Sequence, residues 1–117
     1  MKQDGKNTQT LSTAAVYILL ALAREDLHGY GIIQEIARQS EESYRIGPGT
    51  LYDNLKKLME QKFVIDAPAS ARAKDDDRRF YRITTAGKAA LSTEVERLNS
   101  IVIEARLRLG EGSPRRA

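Results

Sequence analysis

The stretch GPGTLYDNLKKLMEQKFVI, residues 47–65, holds a turn, an amphipathic helix and the beginning of a strand. Pro48 suits the first turn of a helix, where its missing N–H is not needed. Leu51, Leu55 and Leu58 then recur on one side, as far as about Gln61. Gly49, Asp53, Lys56, Lys57 and Glu60 fall opposite, with Thr50 and Tyr52 on the flanks. Residues 63–65 are short, apolar and partly β-branched, which predicts a strand. RRFYRI, residues 78–83, predicts its partner, with Tyr81 and Ile83 toward a core and Phe80 and Arg82 on the other face. Residues 66–77, polar and rich in Ala and Asp, read as a loop rather than a tight turn.

Toward the N-terminus, Thr10 or Ser12 can cap a first helix in which Leu11, Ala14, Ala15, Ile18, Leu19 and Leu22 form one stripe. Val16, Tyr17 and Leu20 add apolar surface outside that stripe, and a helix apolar nearly all round is covered on two sides. Residues 24–27 break the pattern, and His28-Gly29-Tyr30 leads into a second helix with Ile32, Ile33, Ile36 and Ala37 inside. Toward the C-terminus, Thr84 caps a last helix that runs to about Leu109, with Gly110 placed to stop it. The order helix, helix, helix, strand, loop, strand, helix is that of a winged helix-turn-helix. The fold class expected is mainly α with a small β-hairpin. The expected division is a flexible tail at 1–9, the winged helix-turn-helix at 10–83, a C-terminal dimerisation helix at 84–109 and a second flexible tail at 110–117.

A length of 117 residues fits one domain, and 41% hydrophobic with 30% charged residues is ordinary for a soluble globular protein. The absence of cysteine excludes disulfides and zinc–thiolate sites and fits a cytoplasmic location. The longest apolar run, residues 14–23, is too short to span a bilayer, so no membrane partner is expected. The net charge of +3 is unevenly spread. Residues 45–88 hold 10 basic and 6 acidic side chains, against 4 and 6 in residues 1–44. A basic surplus concentrated in one region is what double-stranded DNA selects. The only histidine is His28, and no serine lies in a nucleophile elbow. No enzyme activity, catalytic residue, metal or cofactor is expected.

In helix-turn-helix proteins the N-terminal part of the second motif helix meets base edges in the major groove. Gly49, Thr50, Asp53 and Asn54 are therefore the base-proximal candidates, Asn54 nearest the core flank. Lys56 and Lys57 can reach phosphates, and Gly47 and Gly49 let the backbone approach one at a helix start. Arg72, Lys74, Arg78 and Arg79 flank the hairpin tip and read as wing contacts to DNA. Asp75, Asp76 and Asp77 between them read as a solvated tip. A winged-helix module that binds protein or RNA without sequence-specific DNA binding is the alternative.

In the last helix Leu91, Val95, Leu98, Val102, Ala105 and Leu109 are spaced as a heptad seam, which Ile101 and Ile103 broaden. At 1.5 Å per residue such a helix is roughly 37 Å long and overhangs a domain this small. The seam, with Leu11, Val16 and Leu20 of the first helix, is the expected homodimer interface. A two-fold dimer sets two reading helices one duplex turn apart on a palindrome.

LSTAAVYILLAL (residues 11–22), HGYGI (28–32), GPGTLYDNLKKL (47–58) and FYRITTAG (80–87) together resemble the PadR family of winged-helix transcriptional regulators, in its compact branch with one C-terminal helix. The resemblance covers about residues 11–109. It implies a dimer, built through the first and last helices, that binds an operator and usually represses nearby genes. It implies that Tyr52 touches the DNA backbone through its hydroxyl and that Tyr30 packs between helices near that surface. It also implies a small-molecule effector near the dimer interface, although the absence of tryptophan removes a tryptophan-lined cavity. Lys62 stands where many relatives carry glycine, so the turn into the wing is expected to differ.

Overall fold

Ser12 starts the first helix by accepting the Ala15 N–H on its hydroxyl at 3.0 Å. The computed structural model describes residues 10–68 and 77–110. Its elements are α1 (Thr13–Leu22), β1 (Leu27–His28), α2 (Gly29–Gln39), α3 (Pro48–Glu60), β2 (Val64–Asp66), β3 (Phe80–Ile83) and α4 (Thr85–Leu109). The stripe expected of α1 is its buried face: Ala14, Ala15, Ile18, Leu19 and Leu22 are buried. Ile32 and Ile36 of α2 and Leu51, Leu55 and Leu58 of α3 close the same core. Burying a side chain of this size stabilises the fold by about 1.5–3 kcal/mol.

Strand β1 was not expected. Residues 24–27 read only as a break, yet Leu27 and His28 pair antiparallel with Tyr81 and Phe80. The sheet therefore has three strands in the order β1-β3-β2, with Val64 opposite Ile83 and Asp66 opposite Tyr81. Two residues are too few to show an alternation, and this strand exists because β3 offers it an edge. A forked ion pair fastens it, with Arg82 donating to both carboxylate oxygens of Asp26 at 3.0 and 2.8 Å. Tyr81 and Ile83 face the core as expected. The first wing strand lies one residue later than the composition suggested, because Phe63 is spent in the turn from α3.

That turn uses Lys62 at φ 69°, the left-handed conformation that glycine adopts without cost. The lysine thus holds a backbone conformation that side chains rarely adopt. Glu41 and Glu42, at φ 52° and 70°, make the turn that ends α2. The loop after them is pinned to α1 by Tyr44, whose ring stacks on Tyr17 at 4.5 Å. Two side chains lie elsewhere than the sequence suggested. Tyr30 is 65% exposed, because Gly29, Ile32 and Ile36 take the inward face of α2 and leave residue 30 outside. Leu91, counted on the dimer seam, is buried in its own core, because the first turns of α4 lie along α1 before the helix leaves the domain.

Thr84 caps α4 by accepting the Gly87 N–H at 2.9 Å, and Gly110, at φ 75°, ends it. No described helix is long and apolar enough to cross a membrane.

Candidate nucleic-acid interface

The outer face of α3 is open. Gly47, Gly49, Thr50, Tyr52, Asp53, Lys56 and Lys57 are all exposed. Gly47 is the N-cap of the helix and has no side chain to close its first N–H groups, so α3 begins with bare backbone donors. A methyl group built on Gly47 or Gly49 would meet nothing within 4 Å. The protein's own packing does not require glycine at either position, and the bareness faces outward. Among the described residues neither Lys56 nor Lys57 has an ion-pair partner. Asn54 differs from its neighbours: half-buried, it donates from its amide to the Thr50 carbonyl at 2.9 Å and accepts from the Ser12 hydroxyl at 3.4 Å. Its amide group is engaged in joining α3 to the start of α1.

Tyr52 leans back over α2. A Cβ added to Gly29 would lie 2.1 Å from the Tyr52 hydroxyl, so the tyrosine occupies the space that glycine leaves. Between α3 and β3 a cleft of about 430 Å³ is lined by Tyr52, Leu55, Lys56, Met59, Glu60, Arg79 and Tyr81. Burial pushes the Tyr81 hydroxyl pKa up.

The wing arginines are held at its root. Arg79 forks onto Asp66, one of the two contacts being 3.2 Å, and reaches the Met59 sulfur at 3.8 Å. The guanidinium hydrogen bond holds the Asp66 carboxyl below the usual carboxylate range. Arg78 lies 2.9 Å from Nε2 of His28, and its guanidinium sits 5.7 Å from the centre of the Phe80 ring. Nδ1 of His28 accepts the Gly31 N–H at 3.1 Å, so this histidine is the N-cap of α2. Arg78, a donor only, competes with that N–H for the acceptor nitrogen of the ring. Arg72, Lys74, Asp75 and Asp76 lie outside the described residues. Gly29, Met59 and Asp66, absent from the sequence-derived set, border this surface. Only Asp66 left a signal, as an acid at the far end of a hairpin whose other arm begins with two arginines.

Leu11, Val16, Leu20 and Leu98 share a cleft of about 380 Å³ between α1 and α4, together with Thr13, Tyr17, Glu94 and Arg97. Glu94 is 4% exposed, pairs with Arg97 and accepts the backbone N–H of Leu11. The Arg97 hydrogen bond, ahead of the opposing effect of burial, lowers its pKa. Beyond it Val95, Leu98, Val102, Ala105 and Leu109 are exposed, as are Ile101, Ile103 and Leu107. No three described His, Cys, Asp or Glu side chains gather as a metal site.

A three-helix core, a reading helix with an open polar face and an antiparallel hairpin behind it define a winged helix-turn-helix protein. The model of the transcriptional regulator PadR-like family matches residues 18–93. A transcriptional regulator of Mycobacterium tuberculosis is 34% identical over 95 residues, covering 76% of this chain and 78% of that protein. A PadR family transcription regulator from Clostridium difficile superposes with a TM-score of 0.61 at 25% identity, over 82% of this chain and 99% of that one. Bacillus subtilis PadR, solved in complex with operator DNA, shares the fold with a TM-score of 0.60 at 22% identity, over 71% of this chain and 46% of that one. The chain belongs to the PadR-like family and is a DNA-binding transcription regulator.

Proposed function

We propose that this protein is a homodimeric repressor that binds a palindromic operator, reading bases with the start of α3 and gripping the backbone with its lysines and wing. It acts by binding rather than by catalysis. The observation that carries this reading is the face of α3: backbone N–H groups at its start that no side chain caps, two glycines with open space before them, and Lys56 and Lys57 turned to solvent. Helix starts favour anions, and exposed cations about two turns further on meet the next phosphates. The complex of Bacillus subtilis PadR with operator DNA supports the ligand class. The exposed seam from Val95 to Leu109 and the apolar cleft lined by Leu11, Val16, Leu20 and Leu98 support the dimer, since soluble monomers rarely leave such a stripe uncovered.

The double variant Lys56→Ala, Lys57→Ala tests it. Binding to all duplexes weakens alike, and the slope of log affinity against log salt falls by about 1.8, roughly 0.9 per lost phosphate contact. Thr50→Ala or Asp53→Ala instead changes which bases are preferred. Unchanged duplex affinity in the double variant refutes the assigned face. Light scattering at micromolar concentration, expected to give twice the protomer mass of 13.1 kDa, checks the dimer.

A further inference from the structure

The end of α3 and the start of α4, more than twenty residues apart in sequence, are bolted together. The Thr84 hydroxyl donates to the Lys62 carbonyl at 2.7 Å while accepting the Gly87 N–H at 2.9 Å. The Thr84 N–H donates to the Phe63 carbonyl at 2.9 Å. Gly87 is buried against that same carbonyl: a Cβ there would lie 2.2 Å from the Phe63 oxygen and 2.9 Å from Ile83. Lys62 adopts its left-handed backbone at this point, and its N–H donates to the Met59 carbonyl at 3.0 Å. Every hydrogen-bonding group in the set belongs either to the backbone or to one short side chain, so the joint has little play.

We infer that Thr84 and Gly87 are positioning residues that fix the angle between the reading head and the α4 seam, and thereby the half-site spacing the regulator accepts. The inference rests on the dimeric, operator-reading function proposed above. Its force comes from leverage. From Gly87 to Leu109 the helix rises roughly 33 Å at 1.5 Å per residue. A tilt of about 10° at the joint moves the far end by roughly 6 Å, nearly two base-pair steps of 3.4 Å. Two reading helices must fall one duplex turn apart, so a loose joint spreads the accepted spacings and a forced joint shifts them. A second hold on α4, through Leu91 in the core and Glu94 against Leu11, begins a turn further along.

The test is selection of bound sequences from a pool of inverted repeats with varied spacers, run beside the affinity for a single half-site. The wild-type chain selects one spacer over its neighbours by about tenfold or more. Thr84→Ala lowers that preference to less than about threefold while half-site affinity stays within about twofold, and Thr84→Ser, which keeps the hydroxyl, restores it. Gly87→Ala shifts the preferred spacer; should that variant not fold, the Thr84 pair decides alone. Unchanged spacer preference in Thr84→Ala overturns the inference, and so does a parallel loss of half-site affinity, which would make the residue merely structural. A wild type that selects single half-sites with no repeat overturns the dimeric reading beneath it instead.

Discussion

Two helices of this molecule carry leucines and valines down one side, and they meet opposite fates. In α3, Leu51, Leu55 and Leu58 are no more than 2% exposed. In α4, only Gly87, Leu91 and Glu94 are buried, and Val102 and Leu109 are 41% and 67% exposed. The periodicity is equally clear in both. It says that a face will be covered, and it does not say by whom. Length decides the matter: α3 has 13 residues and fits beneath α1 and α2, whereas α4 has 25 and outruns the domain after its third turn.

Breaking each face in turn gives the largest contrast. Leu55→Ala costs about 2–5 kcal/mol, read as a lower denaturation midpoint. Val102→Ala in a dilute sample costs under about 0.5 kcal/mol, as for any exposed site. Equal losses would mean that α4 already has its cover within the chain. Gly29→Ala sharpens the α3 side, because its methyl meets the Tyr52 hydroxyl. We expect a loss of about 1–3 kcal/mol, much of it absent beside Tyr52→Ala in a double-mutant cycle.

Glu94 marks where α4 passes from covered to bare. Its folded pKa lies below the ordinary glutamate value, so the stability it contributes is complete above that value, about 4.3, and is lost as the pH falls through the lower folded one. Glu94→Gln therefore flattens the acid side of a stability-against-pH profile, an effect on the order of 1 kcal/mol. An unchanged profile would place the acid sensitivity elsewhere. One effect is a gain: Lys62→Gly relieves a left-handed lysine and raises stability by about 0.5–1 kcal/mol in thermal melts.

Much of this architecture was legible because it is local. The stripes of α1 and α3, the caps at Ser12 and Thr84, the stop at Gly110 and the inward pair Tyr81 and Ile83 all follow from spacing within one element. What was not legible depends on meetings between distant segments. Strand β1 needs the edge of β3. Leu91 keeps the heptad spacing of its neighbours but falls on the part of α4 that α1 covers. Arg79 reads as a cation for DNA, and only the hairpin register shows that Asp66 already holds it. Tyr30 is a different case: its packing was expected from the family resemblance, whereas the angular count of its own helix, a local signal, turns it to solvent.

The central place of β3 also bears on the order of assembly. It closes a short loop with β2, but its pairing with β1 and the Asp26–Arg82 fork, 56 positions apart, closes a long one. Longer closures carry the greater entropic cost, and two residues offer few contacts to offset it. The outer strand is therefore the last piece to settle and the first to open, and amides near residues 27–31 exchange with solvent ahead of those in α1 and α3. His28 lies in that strand and caps α2 as well, so each such opening frays the start of a helix along with the edge of a sheet.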